Sequence, residues 1–424
     1  MQYLLTALTI AASLLFLPTA PEDGPYWPQW RGPDRTGISP DTGLLDQWDG
    51  APPLVWKASG LGIGFSSISL VDGRIFTMGD RDGRMAVIGL SADDGEMLWS
   101  TPIGPVWSPN NYAGPRCTPT VDGDRVYAIG SHGDLVCLDA ATGKLRWQKN
   151  FKDDFGGKMM SGWGYSESPL VDGEKLVCTP GAPDAAIVAL DKLTGEVIWQ
   201  AETPDLGENG RDGAGYSSIV ISHGGGVKQY VQLMGRGLVS VTADDGRFLW
   251  NYNRIANKTA NIPTPIIKDD LVFASTGYGT GAALLKLAPS GEGVQAEEVY
   301  FLPAKTLQNH HGGMILLGDY LYGGHGHGKG FPVCFELATG KPMWEKQRGP
   351  GSGSAAVACA DGKLYFRYQN GTVALINATP DAYELRGSFE IPEVEQPSWP
   401  HPVIIGGRMY LREQDALYCY DVEK

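Results

Sequence analysis

Short apolar runs dominate the chain after its first two dozen residues, and each is stopped by a turn carrying Gly or Asp. Leu70-Val71-Asp72-Gly73-Arg74-Ile75-Phe76 reads as two strands joined by a tight turn, and Leu135-Val136-Cys137-Leu138 as a buried strand. The unit then recurs: an apolar strand, a Val-Asp-Gly turn, an aromatic strand, and a last pair of strands flanking Asp-x-x-Thr-Gly-x-x-x-Trp. Val121-Asp122-Gly123 leads to Leu138-Asp139-Ala140-Ala141-Thr142-Gly143 and Trp147, and Val171-Asp172-Gly173 leads to Leu190-Asp191-Lys192-Leu193-Thr194-Gly195 and Trp199. Earlier copies close at Trp56 and Trp99 and later ones at Trp250 and Trp344, with looser copies at Tyr300 and Leu385. Neighbouring closures are 41 residues apart (Trp344 to Leu385) to 52 apart (Trp147 to Trp199).

Opening strands begin at Ser67, Thr118, Ser168, Ser218, Thr264, Gly313, Ala355 and His401, which makes eight. Only seven closing strands follow them. The eighth, Pro52-Pro53-Leu54-Val55-Trp56, stands at the other end of the chain with no opener before it. A four-stranded unit repeated at this spacing is the pattern of a propeller blade, and split termini are what circular closure requires to remove an open sheet edge. The expected fold is all-β: an eight-bladed β-propeller of four-stranded blades over residues 51–424, with N- and C-terminal strands sharing the last blade. In this reading the recurring Trp residues pack between blades, and Asp139 and Asp191 cap turns.

Residues 1–20 read as a signal peptide, because Leu4 to Leu17 is an apolar run too short to span a bilayer. No Cys follows it, and no second apolar segment appears, so the mature chain is expected to be periplasmic or secreted with no transmembrane span. Residues 21–50, which hold Trp27, Trp30 and Trp48, are expected to dock on the propeller, along its side or in one end.

Charge narrows the range of partners. With 34 Lys and Arg against 48 Asp and Glu, the net charge is −14, and no basic block interrupts the acidic surface. Nucleic acid is excluded on that ground and anionic partners are not expected. The six Cys include no zinc or redox spacing, and most lie in apolar strand runs, so they read as buried free thiols.

In an antiparallel blade the start of the first strand, the end of the second and the start of the third share one rim. Six of the seven His fall there: His132, His310, His311, His325, His327 and His401. The same rim carries the least repeat-like segments, including Gly162-Trp163-Gly164-Tyr165-Ser166-Glu167, Thr259-Ala260-Asn261-Ile262-Pro263, Gly349 to Ser354, and Gln396-Pro397-Ser398-Trp399-Pro400-His401. A concave site at that funnel mouth is the main functional expectation. Its candidate ligand-binding residues are Arg116, Trp163, Tyr165, Glu167, Asn261, His310, His311, Arg367, Trp399 and His401. Arg residues and rings beside one carboxylate suit a polar planar or sugar-like ligand, whereas an ion-pair network tethering the loops uses the same residues. His310, His311, His325 and His327 sit at adjacent strand ends, so a transition-metal site, an acid/base or hydrogen-bonding role for one of them, and polar loop packing all remain open.

Closures of the form Leu-Asp-Ala-x-Thr-Gly-x-x-x-Trp resemble the PQQ-type (pyrroloquinoline quinone) repeat, shared by quinoprotein dehydrogenases and by the outer-membrane β-barrel assembly scaffold lipoprotein. The opening Trp27-Pro28-Gln29-Trp30-Arg31-Gly32-Pro33 resembles the start of many exported PQQ-like propellers. The resemblance covers residues 50 to 424 and implies the fold. For function it implies either a protein-binding scaffold or a redox enzyme. A quinoprotein site of that family would need cations, a stacking ring and a calcium; Arg116 or Arg367, Trp163 or Trp399, and Glu167 with Asn261 are the residues available, and the adjacent Cys pair of the larger alcohol dehydrogenases is missing. The reading favoured by the sequence is a binding scaffold with a small-molecule or protein site at the His-rich funnel. A PQQ- and calcium-dependent oxidoreductase and a metal-dependent enzyme built on the four His are the alternatives.

Overall fold

A computed structural model describes residues 24–108, 112–291 and 293–424; the expected signal peptide at 1–20 lies outside them. Eight antiparallel sheets are arranged as an eight-bladed β-propeller, with almost no helix. Blade 1 comprises Ser69–Val71, Arg74–Arg81, Arg84–Ser91 and Met97–Pro105, and blades 2 to 5 repeat that order. Blade 8 holds Val403–Ile405, Arg408–Glu413 and Ala416–Asp421, completed by Leu54–Ala58 pairing antiparallel with Ala416–Asp421. The two ends of the chain therefore close one sheet, as the missing closing strand implied.

Blade 6 departs from the pattern. It has three strands, Met314–Leu317, Tyr320–His325 and Phe331–Glu336, and its fourth is reduced to a single bridge between Phe335 and Pro342. Proline has no N–H to continue the ladder. Trp344 nonetheless keeps its place, with its ring 5.5 Å from Tyr322 and its indole N–H donating to Thr379 O.

The repeat signature has one physical cause. Four closing Trp residues pack against the Thr-Gly or Asp-Gly turn of the next blade: a Cβ on Gly95, Gly143, Gly195 or Gly246 would stand 2.4 to 2.8 Å from Trp56, Trp99, Trp147 or Trp199, respectively. Those glycines also have φ near +70°, which side chains rarely adopt. Indole N–H groups of Trp56, Trp99 and Trp147 donate to Ala92, Ala140 and Lys192 carbonyls in the same turns. Blades 1 to 3 thus each present a ring and receive one. Apolar faces of adjacent blades fill the space between, as where Phe76 and Val87 of blade 1 meet Tyr127 and Cys137 of blade 2. All six Cys are free and buried there.

Residues 27–45 run inside the ring of innermost strands at the end opposite the His-rich rim. Trp27 bridges Leu70 of blade 1, the Pro28 carbonyl accepts from Val121 of blade 2, and Ile38 bridges Cys359 of blade 7. Arg35 is buried and donates to Ser168, Pro169 and Ile219 carbonyls in blades 3 and 4 at 3.1, 2.5 and 3.0 Å. Arg31 donates to Met314 O of blade 6 at 2.5 Å. Asp41 and Leu44 then engage the turns at Gly407 and Asp361. The segment is a plug held by seven blades from within.

Candidate functional site

Above the plug lies a cavity of about 460 Å3, within the usual range for small-molecule sites. Trp30 and Arg31 of the plug form part of its floor. Its wall comes mainly from the residues that precede the innermost strands: Phe65, Tyr112 and Arg116, Trp163, Tyr216, Ile262, His310 and His311, and Trp399 to His401. Tyr278, His327 and Gln369 add the ends of outer loops. Every blade contributes, because in a propeller the innermost strands converge on one axis.

Six of the ten candidate ligand-binding residues face this cavity: Arg116, Trp163, His310, His311, Trp399 and His401. Four do not. Tyr165 is 1% exposed, packs edge-on to Phe151 and donates to Pro180 O. Glu167 accepts from Thr179 N at 2.7 Å, Thr179 Oγ1 at 2.8 Å and Gln232 Nε2 at 3.2 Å. Along this extended stretch alternate side chains face opposite ways, so Ser166 and Ser168 line the cavity while Tyr165 and Glu167 point between blades. Asn261 is fully buried, donating to Met234 O and Gly235 O and accepting from Asn257.

Arg367 is also fully buried. It donates to the Glu413 carboxylate at 2.6 Å, to Ser398 Oγ at 2.8 Å and to Pro400 O at 2.9 Å. It therefore positions the loop that presents Trp399 and His401, and touches nothing in the cavity. Arg412 is buried likewise against Leu61, Gly62 and Ala416 carbonyls.

The four-His metal set does not form. His310 Nδ1 lies 2.7 Å from Ser354 Oγ and its Nε2 3.0 Å from Tyr278 OH, so both nitrogens are engaged. His325 turns away and accepts from Gln308 N. Among the described residues no group of three His, Cys, Asp or Glu is placed to hold a metal. A calcium and quinone pair fits no better. Calcium takes six to eight oxygens, chiefly carboxylate and carbonyl, but among the described residues no Asp or Glu lines the cavity, and Glu167 and Asn261 are turned into the blades. Gln369 Oε1 accepts from Trp399 Nε1 at 3.0 Å.

The cavity instead presents rings. Trp399 packs against Phe65, Tyr112 and His311 with centroids 5.0, 4.7 and 4.6 Å away. His310 joins His311 at 4.2 Å and His327 at 4.1 Å, and Tyr278 lies 4.4 Å from His327. Trp30 stands edge-on to His401 at 4.4 Å. Burial, aided by neighbouring His327, pulls His310 down to about 3; burial and the guanidinium of Arg31 do the same to His401. These imidazoles are neutral at physiological pH. Arg31, pulled by burial only to about 10, stays charged.

Sequence reasoning missed Trp30 and Arg31 on the floor, and Phe65, Tyr112, Tyr216, Tyr278 and Gln369 in the wall. Phe65 and Tyr216 sit two positions before the openers at Ser67 and Ser218, so the rim rule already contained them.

The family model described as outer membrane protein assembly factor BamB matches residues 83–346, more than half of the chain. The chain belongs to that family. A BamB from Kangiella koreensis is 29% identical over 144 residues, covering 33% of this chain and 32% of the relative; one from Aliivibrio fischeri is 30% identical over 84 residues, 19% and 21% of the respective chains. The alignable segments thus span a third or less of those curated relatives. Among solved structures, BamB from Moraxella catarrhalis superposes with a TM-score of 0.62 at 14% identity, covering 87% of this chain and 99% of that one. Quinohemoprotein alcohol dehydrogenase from Comamonas testosteroni gives 0.63 at 14% identity, with 94% and 81% covered. At that identity the likeness is one of fold, and it extends equally to a BamB and to an oxidoreductase.

Proposed function

We propose that this BamB-family propeller is an exported, periplasmic binding scaffold whose working site is the funnel on the His-rich face. The observation that carries the reading is the floored cavity: loops of all eight blades meet over the chain's own plug, and His311 and His401, which line it, each have a buried Nε2 without a partner among the described residues. Buried polar atoms of folded proteins are otherwise nearly always paired, so unpaired ones facing a cavity favour a bound molecule. Kinship with assembly factors favours export and a scaffold role. The oxidoreductase reading lacks its calcium oxygens here and the metal-enzyme reading lacks its cluster.

A photo-crosslinking amino acid at Trp163, against one at Leu145 on an exposed outer strand, tests the site in cells of the source. Expected is a discrete adduct at the funnel position that disappears on adding Trp399→Ala, or a ligand that raises the melting temperature of wild type and leaves that of Trp399→Ala unchanged. Neither outcome at the funnel, with adducts at Leu145 alone, refutes it.

A further inference from the structure

The surface of the chain is acidic, with net charge −14, yet the funnel has the opposite sign. Arg116 and Arg31 line it, and among the described residues no Asp or Glu does. Arg116 donates to Gly114 O at 3.1 Å and Tyr112 O at 2.7 Å and stacks over the Phe65 ring at 5.4 Å. It makes no ion pair among the described residues. Arg31 is 5% exposed, its Nη2 donates only to the carbonyls of Thr36 and Met314, and its Nε has no partner. Of the neighbouring acids, Asp80 accepts from Trp107 N and acts on Arg116 through its field without an ion pair, and Glu413 is paired with Arg367. A guanidinium held by carbonyls alone keeps its charge uncompensated, and a low-dielectric wall magnifies the field it creates.

The wall also discriminates by shape. Sugar hydroxyls are best met by carboxylate and amide oxygens, but among the described residues no carboxylate lines the cavity, and the Gln369 amide oxygen already receives the Trp399 indole N–H. Rings are abundant: Trp399, Tyr112 and Phe65 form one cluster, Tyr278, His310 and His327 another, joined through the His310–His311 contact. The imidazoles add N–H groups without charge. Such a wall suits a flat ring, and two uncompensated guanidiniums suit an anion.

We propose that the funnel binds small aromatic carboxylates, with the carboxylate on Arg116 at the wall or Arg31 at the floor and the ring against the Trp399 and Tyr278 clusters. This rests on the funnel being the binding site and specifies its ligand class. It also separates the net charge of the molecule from that of its site: small anions enter a funnel that polyanions, facing the acidic exterior, do not.

The probes are 2-naphthoate and its neutral isostere 2-naphthamide, titrated calorimetrically and by tryptophan fluorescence into the full chain. Expected is naphthoate binding at least tenfold tighter than naphthamide, with Arg116→Gln reducing that ratio at least fivefold while leaving the amide affinity within twofold. If Arg116→Gln fails to fold, the wild-type ratio is measured at low and high salt, and it should fall as salt rises. Equal or tighter binding of the amide overturns the anion proposal but leaves the funnel reading intact. Binding of neither probe, with photo-crosslinks still forming at Trp163, likewise refutes the ligand class alone. Binding of neither, with no funnel crosslink, removes both.

Discussion

Arg35 is the residue on which the plug depends most. Its buried guanidinium donates to three carbonyls on two blades, and its Nε donates to Gln29 Oε1 at 2.9 Å. Arg35→Ala removes all four bonds and leaves Ser168, Pro169 and Ile219 carbonyls facing a void. Charged hydrogen bonds contribute about 1.5–3 kcal/mol each, and orphaned buried acceptors cost about 1–3 kcal/mol each. Against this, the mutant is freed of the several kcal/mol needed to desolvate a cation. The net expectation is a loss of about 3–5 kcal/mol, since some carbonyls recover water through the vacated channel. At roughly 2 cal/mol/K of unfolding entropy per residue, that corresponds to a melting shift of ~4–6 °C for a chain of this length. The larger effect should be local. Limited proteolysis within residues 27–45 should accelerate at least tenfold while cleavage in the blades does not, and Trp30, which donates to Thr264 Oγ1, should lose its buried emission. Arg35→Lys, which cannot reach three carbonyls in one plane, should fall between. Unchanged proteolysis of the plug in Arg35→Ala, with a melting point within 1 °C of wild type, would refute the clamp.

Three other measurements bear on the structure. His401 is buried and held near 3, so below about pH 6.5 the unfolded chain takes up a proton that the folded chain refuses. Stability is fully present above that pH and declines toward pH 3, by ~2 kcal/mol at pH 5 from this residue; His401→Gln should flatten the wild-type slope of denaturant stability against pH, and an unaltered slope would count against the neutral imidazole. Gly143→Val places a side chain 2.5 Å from the Trp99 ring at φ +69°, which should destabilise by about 2–4 kcal/mol from overpacking and backbone strain, whereas Gly123→Ala, with open space beside it but φ +55°, should cost only about 1–2 kcal/mol for its left-handed backbone. All six thiols are buried, and burial pushes Cys117, Cys334, Cys359 and Cys419 up to about 12; a thiol-titrating reagent should therefore count none in the native protein and six after denaturation.

The blades were legible because one interaction recurs at four successive blade boundaries. A Trp against a glycine turn leaves both partners in the sequence at fixed offsets, so periodicity records it directly. The site was legible only to the rim. Position along a strand fixes height on the axis, which brought out Arg116, Trp163, His310, His311, Trp399 and His401. It does not fix which way a side chain turns, and Tyr165, Glu167, Asn261 and Arg367 turned into the blades, where Glu167 and Asn261 meet hydrogen-bonding groups of neighbouring strands. Four-His convergence failed for a related reason: the nitrogens of His310 are taken by Ser354 and Tyr278, residues far away in sequence. Trp30 and Arg31 belong to no repeat, so nothing periodic announced where they dock.

The closure of blade 8 also dictates an order of events. Leu54–Ala58 pairs with Ala416–Asp421, Ile38 with Cys359, and Leu44 with Glu423, so that strand and the second half of the plug find these partners only when the last strands exist. Contacts of such sequence separation slow folding, because loop closure is lost entropy before any contact repays it. Blades 1 to 5 can zip up locally and receive Trp27, Pro28 and Arg35, while Leu54–Ala58 and residues 38–45 wait. In that interval the innermost strands and the free edge of the growing ring are uncovered, which is the state most open to edge-to-edge aggregation. The final step is then a docking step, and its rate rather than that of any single blade should govern how soon the ring becomes a closed vessel.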